Sequence, residues 1–509
     1  MFAPQTLGSG DVVGLAGVST PQTFVDFFGL KPANGGGVGS VSIFSWQLHR
    51  WGQPVTFTDP AQNLIALDAS GSGSKVNVLA TFAGAGGPVT SVFPFNATTR
   101  KFGQVFDAGR GAGYVSQSID DHGYALVVTS GPNGLTSHYA GGNAEVTITT
   151  AKVTLFELTQ DANGKIAVTY TTDAGAAFGT VVSSGSTLSP PGFSTPVQVS
   201  APGNQVTSFS VVGTGQGFVA GVYYSSGALA KQDWAIPFGE NGAVGTPVEL
   251  GGSVTAYPLL ASQKNSVAAV WDQAGSAGSQ VFLSRSSDGG KTFTPAVLVP
   301  TNAPNAFRTE PAFDSFGNLW TPWVVESGDS TGIDSTVTSP AGGSTTLIID
   351  PTSTGVKFLG APVPDARGDV FFDILALPST KSPIFDITPI VVDHHNLVDV
   401  SVKATSGTLA GKCGAEERSI SVTGSVFSLG GVGKRRAQDA AAGRTKIGVL
   451  RFKLTCGGAS RVLPILVNDV GRKLFASYRG LKVFADLDLK DEVGNLKEIK
   501  LQTILTRPR

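Results

Sequence analysis

The chain repeats itself with a period of about 48 residues, and each copy has four parts. A strand-like run is followed by a Gly/Asp/Asn turn, an apolar run, a third run, a loop and a fourth run. One copy reads Tyr257–Ser262, Ser266–Asp272, Gln280–Arg285 and Pro295–Val299. The next reads Glu310–Asp314, the turn Ser315–Asn318, Leu319–Glu326, Asp334–Thr338 and Thr345–Ile349. Two earlier copies start at Val153 and Val206, and blurred copies start near Val12, Leu64 and Tyr114. A last copy, through Asp365–Gly368, Asp369–Leu377 and Ile384–Val392, lacks its fourth run. The second run is apolar in every clear copy, as a strand covered on both faces must be.

Repeats of this length built from four short strands predict a β-propeller, in which each copy is one blade. The count is eight blades, with seven as the alternative. The N-terminal Phe2–Gly8 resembles Phe293–Leu298. It is expected to supply the missing strand of the last blade and close the ring, which removes exposed sheet edges and places Met1 close to the mature start. The predicted propeller spans residues 1–392.

Composition agrees with short strands and tight turns. Charged residues are 14% and glycines number 66, where a typical domain carries about 25% charge. No apolar run reaches the roughly 18–20 residues of a membrane span. No basic or hydrophobic leader is visible at Met1–Pro4. The formal net charge of −1 hides a split. Residues 1–392 carry 16 Lys and Arg against 26 Asp and Glu, net −10, and residues 393–509 carry 20 against 11, net +9. Such asymmetry marks two domains with different surfaces. It reflects docking between domains or ordinary solubility, or it makes the second domain a module that attracts an anionic cell-envelope polymer. Interleaved aromatics of the nucleic-acid-binding kind are absent.

After residue 393 the texture becomes strict alternation. Leu481, Val483, Ala485, Leu487 and Leu489 fall on one face. A turn at Asp491–Asn495 then leads into Ile499, Leu501, Thr503 and Leu505. This is a half-buried antiparallel hairpin. Residues 468–475 predict a short capped helix. An Ig-like β-sandwich over 393–509 is the economical solution. Cys413 and Cys456, the two cysteines, read as one disulfide formed in an oxidising compartment, worth about 4 kcal/mol in the chain-entropy picture. Two buried thiols are the alternative.

One turn carries a family resemblance. Ser286, Asp288, Gly290, Thr292 and Phe293, in the order Ser-x-Asp-x-Gly-x-Thr-aromatic, resemble the Asp box (BNR repeat) of sialidase-type propellers. Asp288 can accept turn amides, Gly289 and Gly290 permit positive φ, and Phe293 can plug the space between strands. The resemblance implies that the box staples a blade and lies away from the binding face. The stretch from Gly471-Arg472-Lys473-Leu474 to Asp491–Asn495 resembles Ig-like modules of secreted actinobacterial proteins, which implies an extracellular bacterial protein. Sialidases also clamp a carboxylate with three arginines. Residues 1–392 hold six, namely Arg50, Arg100, Arg110, Arg285, Arg308 and Arg367, and none lies in Met1–Leu15, where that family places its first.

The leading expectation is a secreted or surface-attached binding protein, non-catalytic, recognising a glycan or an extracellular protein through the propeller face. The alternatives are a sialidase-like glycoside hydrolase and a structural envelope protein. Candidate ligand residues are Arg308 with Glu310, Arg110 with Tyr114, and Trp51 and Trp323 as sugar platforms. No HExxH, CxxC, GxSxG or P-loop pattern occurs, and no cofactor or metal is expected. Asp393-His394-His395 reads as a polar linker between the domains.

Overall fold

The computed structural model describes the chain except residues 1–4, 22, 32–34, 46–47, 49, 73, 111–113, 121–123, 143, 187–188, 240, 253, 255, 276–277, 302–305, 328–329, 341, 355–356, 377–384, 388, 393–399, 406–407, 414–418, 435–444, 456–460, 463–464, 492–495 and 507–509. It is nearly all β, with one α-helix at Asp469–Ser477 among the described residues. The chain divides into two compact units. The first holds Met1–Ser315, Leu319–Thr336 and Thr346–Val392, and Asp393–Arg509 make up the bulk of the second.

The first unit is a β-propeller of eight antiparallel blades. Strand a of blades 1 to 6 is Gly8–Ser19, Leu64–Ser72, Tyr114–Ile119, Val153–Gln160, Gln205–Thr214 and Leu259–Gln263. Blade 7 begins with Ala306–Arg308 and Ala312–Phe313, blade 8 with Lys357–Leu359 and Val363–Pro364. Each pairs with a following apolar strand b, which pairs with strand c. Strand b is covered on both sides: Ile166–Thr172 is buried at every position, as are Val76–Ala80 and Val267–Trp271. The apolar cores therefore lie between blades. Blades 4 and 5, for example, share Ala167, Val181, Phe209, Phe218, Val222 and Phe238.

In blades 3, 4 and 6 a glutamine on strand a ties the blade to a neighbour. Gln117 Nε2 donates to Asn77 O at 2.7 Å, Gln160 Nε2 to Ile119 O at 2.8 Å, and Gln263 Nε2 to Asp314 O at 2.6 Å. The a–b turns share a device. Asp120 Oδ1 accepts the Tyr124 amide, Asp161 Oδ1 those of Asn163 and Lys165, and Asp365 Oδ1 those of Arg367 and Asp369, all at 2.8–3.0 Å. A short acceptor at the strand end thus fixes the corner.

The last blade takes its outer strand from the start of the chain. Leu7 N donates to Ile387 O at 2.9 Å, and Gly8, Ser9 and Gly10 pair with Ile387, Asp386 and Phe385. Leu7 sits in a core with Phe24, Phe28, Phe371 and Ile387 from blades 1 and 8.

Two acids are buried at this seam. Asp26 on strand b of blade 1 and Asp373, between the short strands Val370–Phe372 and Ile374–Ala376 of blade 8, are 0% and 3% exposed. Burial, and for Asp26 also the charge of Asp373, push both carboxyls up. A carboxyl whose folded pKa is raised keeps its proton where the unfolded chain, near pH 4, has lost it. Stability then falls as pH rises from about 4 through neutrality. Asp26→Asn is expected to gain on the order of 2 kcal/mol at pH 8 and little at pH 4, because each pH unit separating folded from unfolded titration corresponds to about 1.4 kcal/mol. Urea midpoints at the two pH values check this. An equal change at both would contradict a buried, protonated Asp26 carboxyl.

In the second unit a five-stranded antiparallel sheet contains Ile465–Val467, Thr445–Thr455, Ser419–Lys434, Tyr478–Asp491 and Leu496–Thr506 in that order. Val400–Thr405, Thr408–Cys413 and Arg461–Val462 form a second sheet. Leu481, Val483, Ala485, Leu487 and Leu489 are fully buried on one face, with Val422, Val426 and Leu450. Arg472 N donates to Asn468 O at the start of the helix. Cys456 and the side chain of Cys413 lie outside the described residues, as do Asp393, His394 and His395.

Candidate functional site

The turn Ser286–Phe293 joins strands c and d of blade 6 (Gly278–Ser286 and Val297–Leu298). Ser286 Oγ donates to Asp288 Oδ1 at 2.7 Å and accepts the Gly290 amide at 2.9 Å. Asp288 accepts the Thr292 amide at 3.0 Å and its hydroxyl at 2.6 Å. These donors, the Thr292 hydroxyl first, hold the Asp288 carboxyl down at about 2. Gly289 and Gly290 have φ of 76° and 85°, and a Cβ on Gly290 would meet Val219 of blade 5 at 2.4 Å. These polar groups are turned inward on the turn itself. The similar-looking Thr172–Gly175 connects strands b and c of blade 4, at the opposite end of a blade.

Arg308 and Glu310 come together at strand a of blade 7. The Arg308 amide donates to Asp272 Oδ1 at 3.1 Å, and Nε lies 3.6 Å from Asp272 Oδ2. Its NH2 donates to the Tyr257 carbonyl, and the guanidinium carbon lies 5.3 Å from the Tyr257 ring centroid. The guanidinium is 8% exposed and already held by one carboxylate, one carbonyl and one ring. Around it, burial pushes Asp233 up to about 8 against the pull of Arg308, and Asp272 and Glu310 move the same way. Glu157, on strand a of blade 4, is also pushed up to about 8, by burial and then by the charge of Glu310. The amide of Val211 partly opposes that shift. Arg308 is thus a buried tie between blades 6 and 7.

Arg50, Arg100, Arg285, Arg308 and Arg367, the arginines with described side chains in this unit, fall in five different blades. Arg285 is buried enough that its guanidinium is pushed down to about 10, and Arg367 pairs with Asp365 on its own turn.

Trp51 and Trp323 are buried and offer no exposed platform. Trp51 is 3% exposed and packs edge-on to Phe44 and against Phe371. Trp323 is 0% exposed in the core between blades 6 and 7. Propeller strands consume their largest side chains between blades, where burying one stabilises by roughly 2–3 kcal/mol. Arg110 ends an edge strand of blade 2 and Tyr114 begins strand a of blade 3; their side chains lie outside the described residues.

The built concave site is elsewhere. A cavity of about 520 Å³ opens between blades 2 and 3 at the end that carries the a–b and c–d turns. Its aromatic walls are Phe102, Phe106 and Tyr124, and Lys75 and Lys101 stand at its rim. Phe102 is locked by stacking on Phe57 and by Phe95, both with ring centroids at 4.8 Å. Tyr124 immediately precedes strand b of blade 3 (Ala125–Gly131) and stays 38% exposed, positioned by the Asp120 corner and edge-on to Tyr139. The c–d turn of blade 2 is tied by Asn96, whose Oδ1 accepts the Thr99 amide and whose carbonyl accepts that of Arg100. Space exists because blade 3 offers, beside Tyr124, only Ala125 and Ala140 to the lining. Next to them Gly141, at φ 81°, lets the Phe106 ring approach to where a Cβ would lie 3.0 Å away. Asn77, Asn96 and Thr99 add polar groups to the lining. Aromatic faces with a few amide, hydroxyl and ammonium groups suit a small polar ring with one apolar face.

No protein-family model matches the chain, and no curated protein matches it. Solved structures with similar folds include the BP39L lectin of Burkholderia pseudomallei, 13% identical over 69% of this chain and 98% of the lectin, with TM-score 0.41. The polysaccharide lyase Uly1 is 7% identical over 64% and 89%, with TM-score 0.39. The WD40 domain of SCAP from fission yeast is 9% identical over 77% and 94%, with TM-score 0.46.

Proposed function

We propose that the chain is an extracellular, non-catalytic glycan-binding protein whose propeller holds sugar in the cavity between blades 2 and 3. The observation that supports this reading is the cavity itself, about 520 Å³ with three aromatic walls. Its volume lies within the range of small-molecule sites, and its ring faces match the apolar faces of pyranose rings. On this reading sugar binds at the end that bears the Ser286–Phe293 turn, not at the opposite end that the Asp-box resemblance implies. The C-terminal unit fits an Ig-like module, basic by +9 over residues 393–509, that holds the protein on an anionic envelope polymer. A Cys413–Cys456 disulfide fits the same extracellular setting.

The test is binding of the intact chain to a broad glycan array, with Tyr124→Ala beside it. The wild type is expected to give a defined set of sugars. Tyr124→Ala is expected to lose roughly two- to tenfold in affinity for them, because stacking on one aromatic face is worth about 0.5–1.5 kcal/mol. Tyr124 is partly exposed, so the variant should keep its unfolding midpoint. A folded protein with a blank array, or unchanged binding in Tyr124→Ala, would remove the cavity from the reading.

A further inference from the structure

The charge of the cavity runs opposite to that of its domain. Residues 1–392 carry a net −10, with 26 acids to 16 bases. Among the described residues, the cavity lining holds Lys75 and Lys101 and not one carboxylate. Arg100 lies beside Lys101 in a left-handed turn position, φ 57°, where a non-glycine residue meets a steric penalty. Three of the domain's 16 bases thus gather on two adjoining turns of one blade, over aromatic walls. Among the described residues, the carboxylate nearest in sequence to the wall residue Tyr124 is Asp120, which accepts the Tyr124 amide at 2.8 Å as the cap of its corner.

On that basis, and resting on the glycan reading above, we infer that the cavity selects acidic sugars, with a carboxylate or sulfate group set against Lys75 and Lys101 and the ring face against Phe106 and Tyr124. The rest of this domain carries net negative charge and disfavours an anionic polymer. The local basic rim then supplies both affinity and orientation. Neutral sugars would meet the same aromatic walls without the ion pairs. The attraction is between exposed groups and therefore screened by salt.

The experiment uses the full chain and titration calorimetry with three probes: oligogalacturonate, its fully methyl-esterified form with the same backbone and no charge, and chondroitin sulfate oligosaccharide. Expected is at least tenfold tighter binding of the charged forms than of the ester at about 50 mM salt, shrinking severalfold at about 500 mM. The double variant Lys75→Gln/Lys101→Gln is expected to erase the preference while Tyr124→Ala lowers affinity for charged and neutral forms alike. A carboxylate-only or sulfate-only response names the group and supports the inference. Equal affinity for charged and esterified oligomers overturns the acidic preference and leaves the glycan reading intact. A preference that survives the double lysine variant places the anion elsewhere and overturns the assignment to this cavity. Loss of all binding to every sugar on the array overturns both.

Discussion

Removing residues 1–10 is expected to lower stability by about 5 kcal/mol and to make the protein self-associate. Leu7–Gly10 form the outer strand of blade 8, with the Leu7 amide on Ile387 O and Gly8 to Gly10 in register with Ile387 to Phe385. Losing Leu7 from the core of blades 1 and 8 costs about 2 kcal/mol of apolar burial. The paired backbone groups and the Ser9 hydroxyl bond to Asp386 account for about 1 kcal/mol each. The truncated chain would also expose the edge Phe385–Ile387, a template for another chain. Urea denaturation and size-exclusion chromatography measure the two effects, and a synthetic peptide of residues 1–10 added in trans should reverse the self-association. A truncated chain that does not associate and keeps an unchanged midpoint would show that the ring does not depend on this strand.

Trp320→Ala is the second large effect, expected to cost about 3–5 kcal/mol. Trp320 lies on strand b of blade 7 with 0% exposure, its ring centroid 5.7 Å from that of Phe372 on strand b of blade 8. Its Nε1 donates to Asp314 Oδ2 at 3.1 Å. The side chain therefore fills the space between two blades and braces the a–b corner of its own. Neither blade can close the gap, because each strand is fixed by its ladder, and the residual cavity adds to the lost burial. Trp320→Phe keeps most of the ring and drops the N–H, and should cost about 1–2 kcal/mol. Equal costs for the two variants in chemical denaturation would show that the hydrogen bond, not the volume, carries the stabilisation. A cost under about 1 kcal/mol for the alanine variant would mean that the interface repacks.

The site was far less legible than the fold. Reading Trp51 and Trp323 as exposed platforms went against the structure because a strand residue's exposure depends on which blade packs over it, and composition cannot reveal that. Arg308 and Glu310 do lie together, yet Asp272 and Tyr257, which occupy the Arg308 guanidinium, come from another blade 36 and 51 residues away. The cavity draws on Lys75, Lys101, Phe106 and Tyr124 across a blade boundary. The one local signal for it was weak: short side chains at Ala125 and Ala140 where a propeller ordinarily needs bulk.

Features governed by near neighbours were legible in the chain. The alternation of the Leu481–Leu489 strand, the apolar second strand of each blade and the turns capped by Asp161 and Asp365 rest on contacts within a few residues. They repeat, so each copy supports the others. Which side chains face each other across blades depends on how the blades pack. The Asp26 and Asp373 pair, the Arg308 tie and the lysine-rimmed cavity each join residues from different blades. Their energetics come from burial and from charges brought close by packing, and no short window of sequence holds both partners.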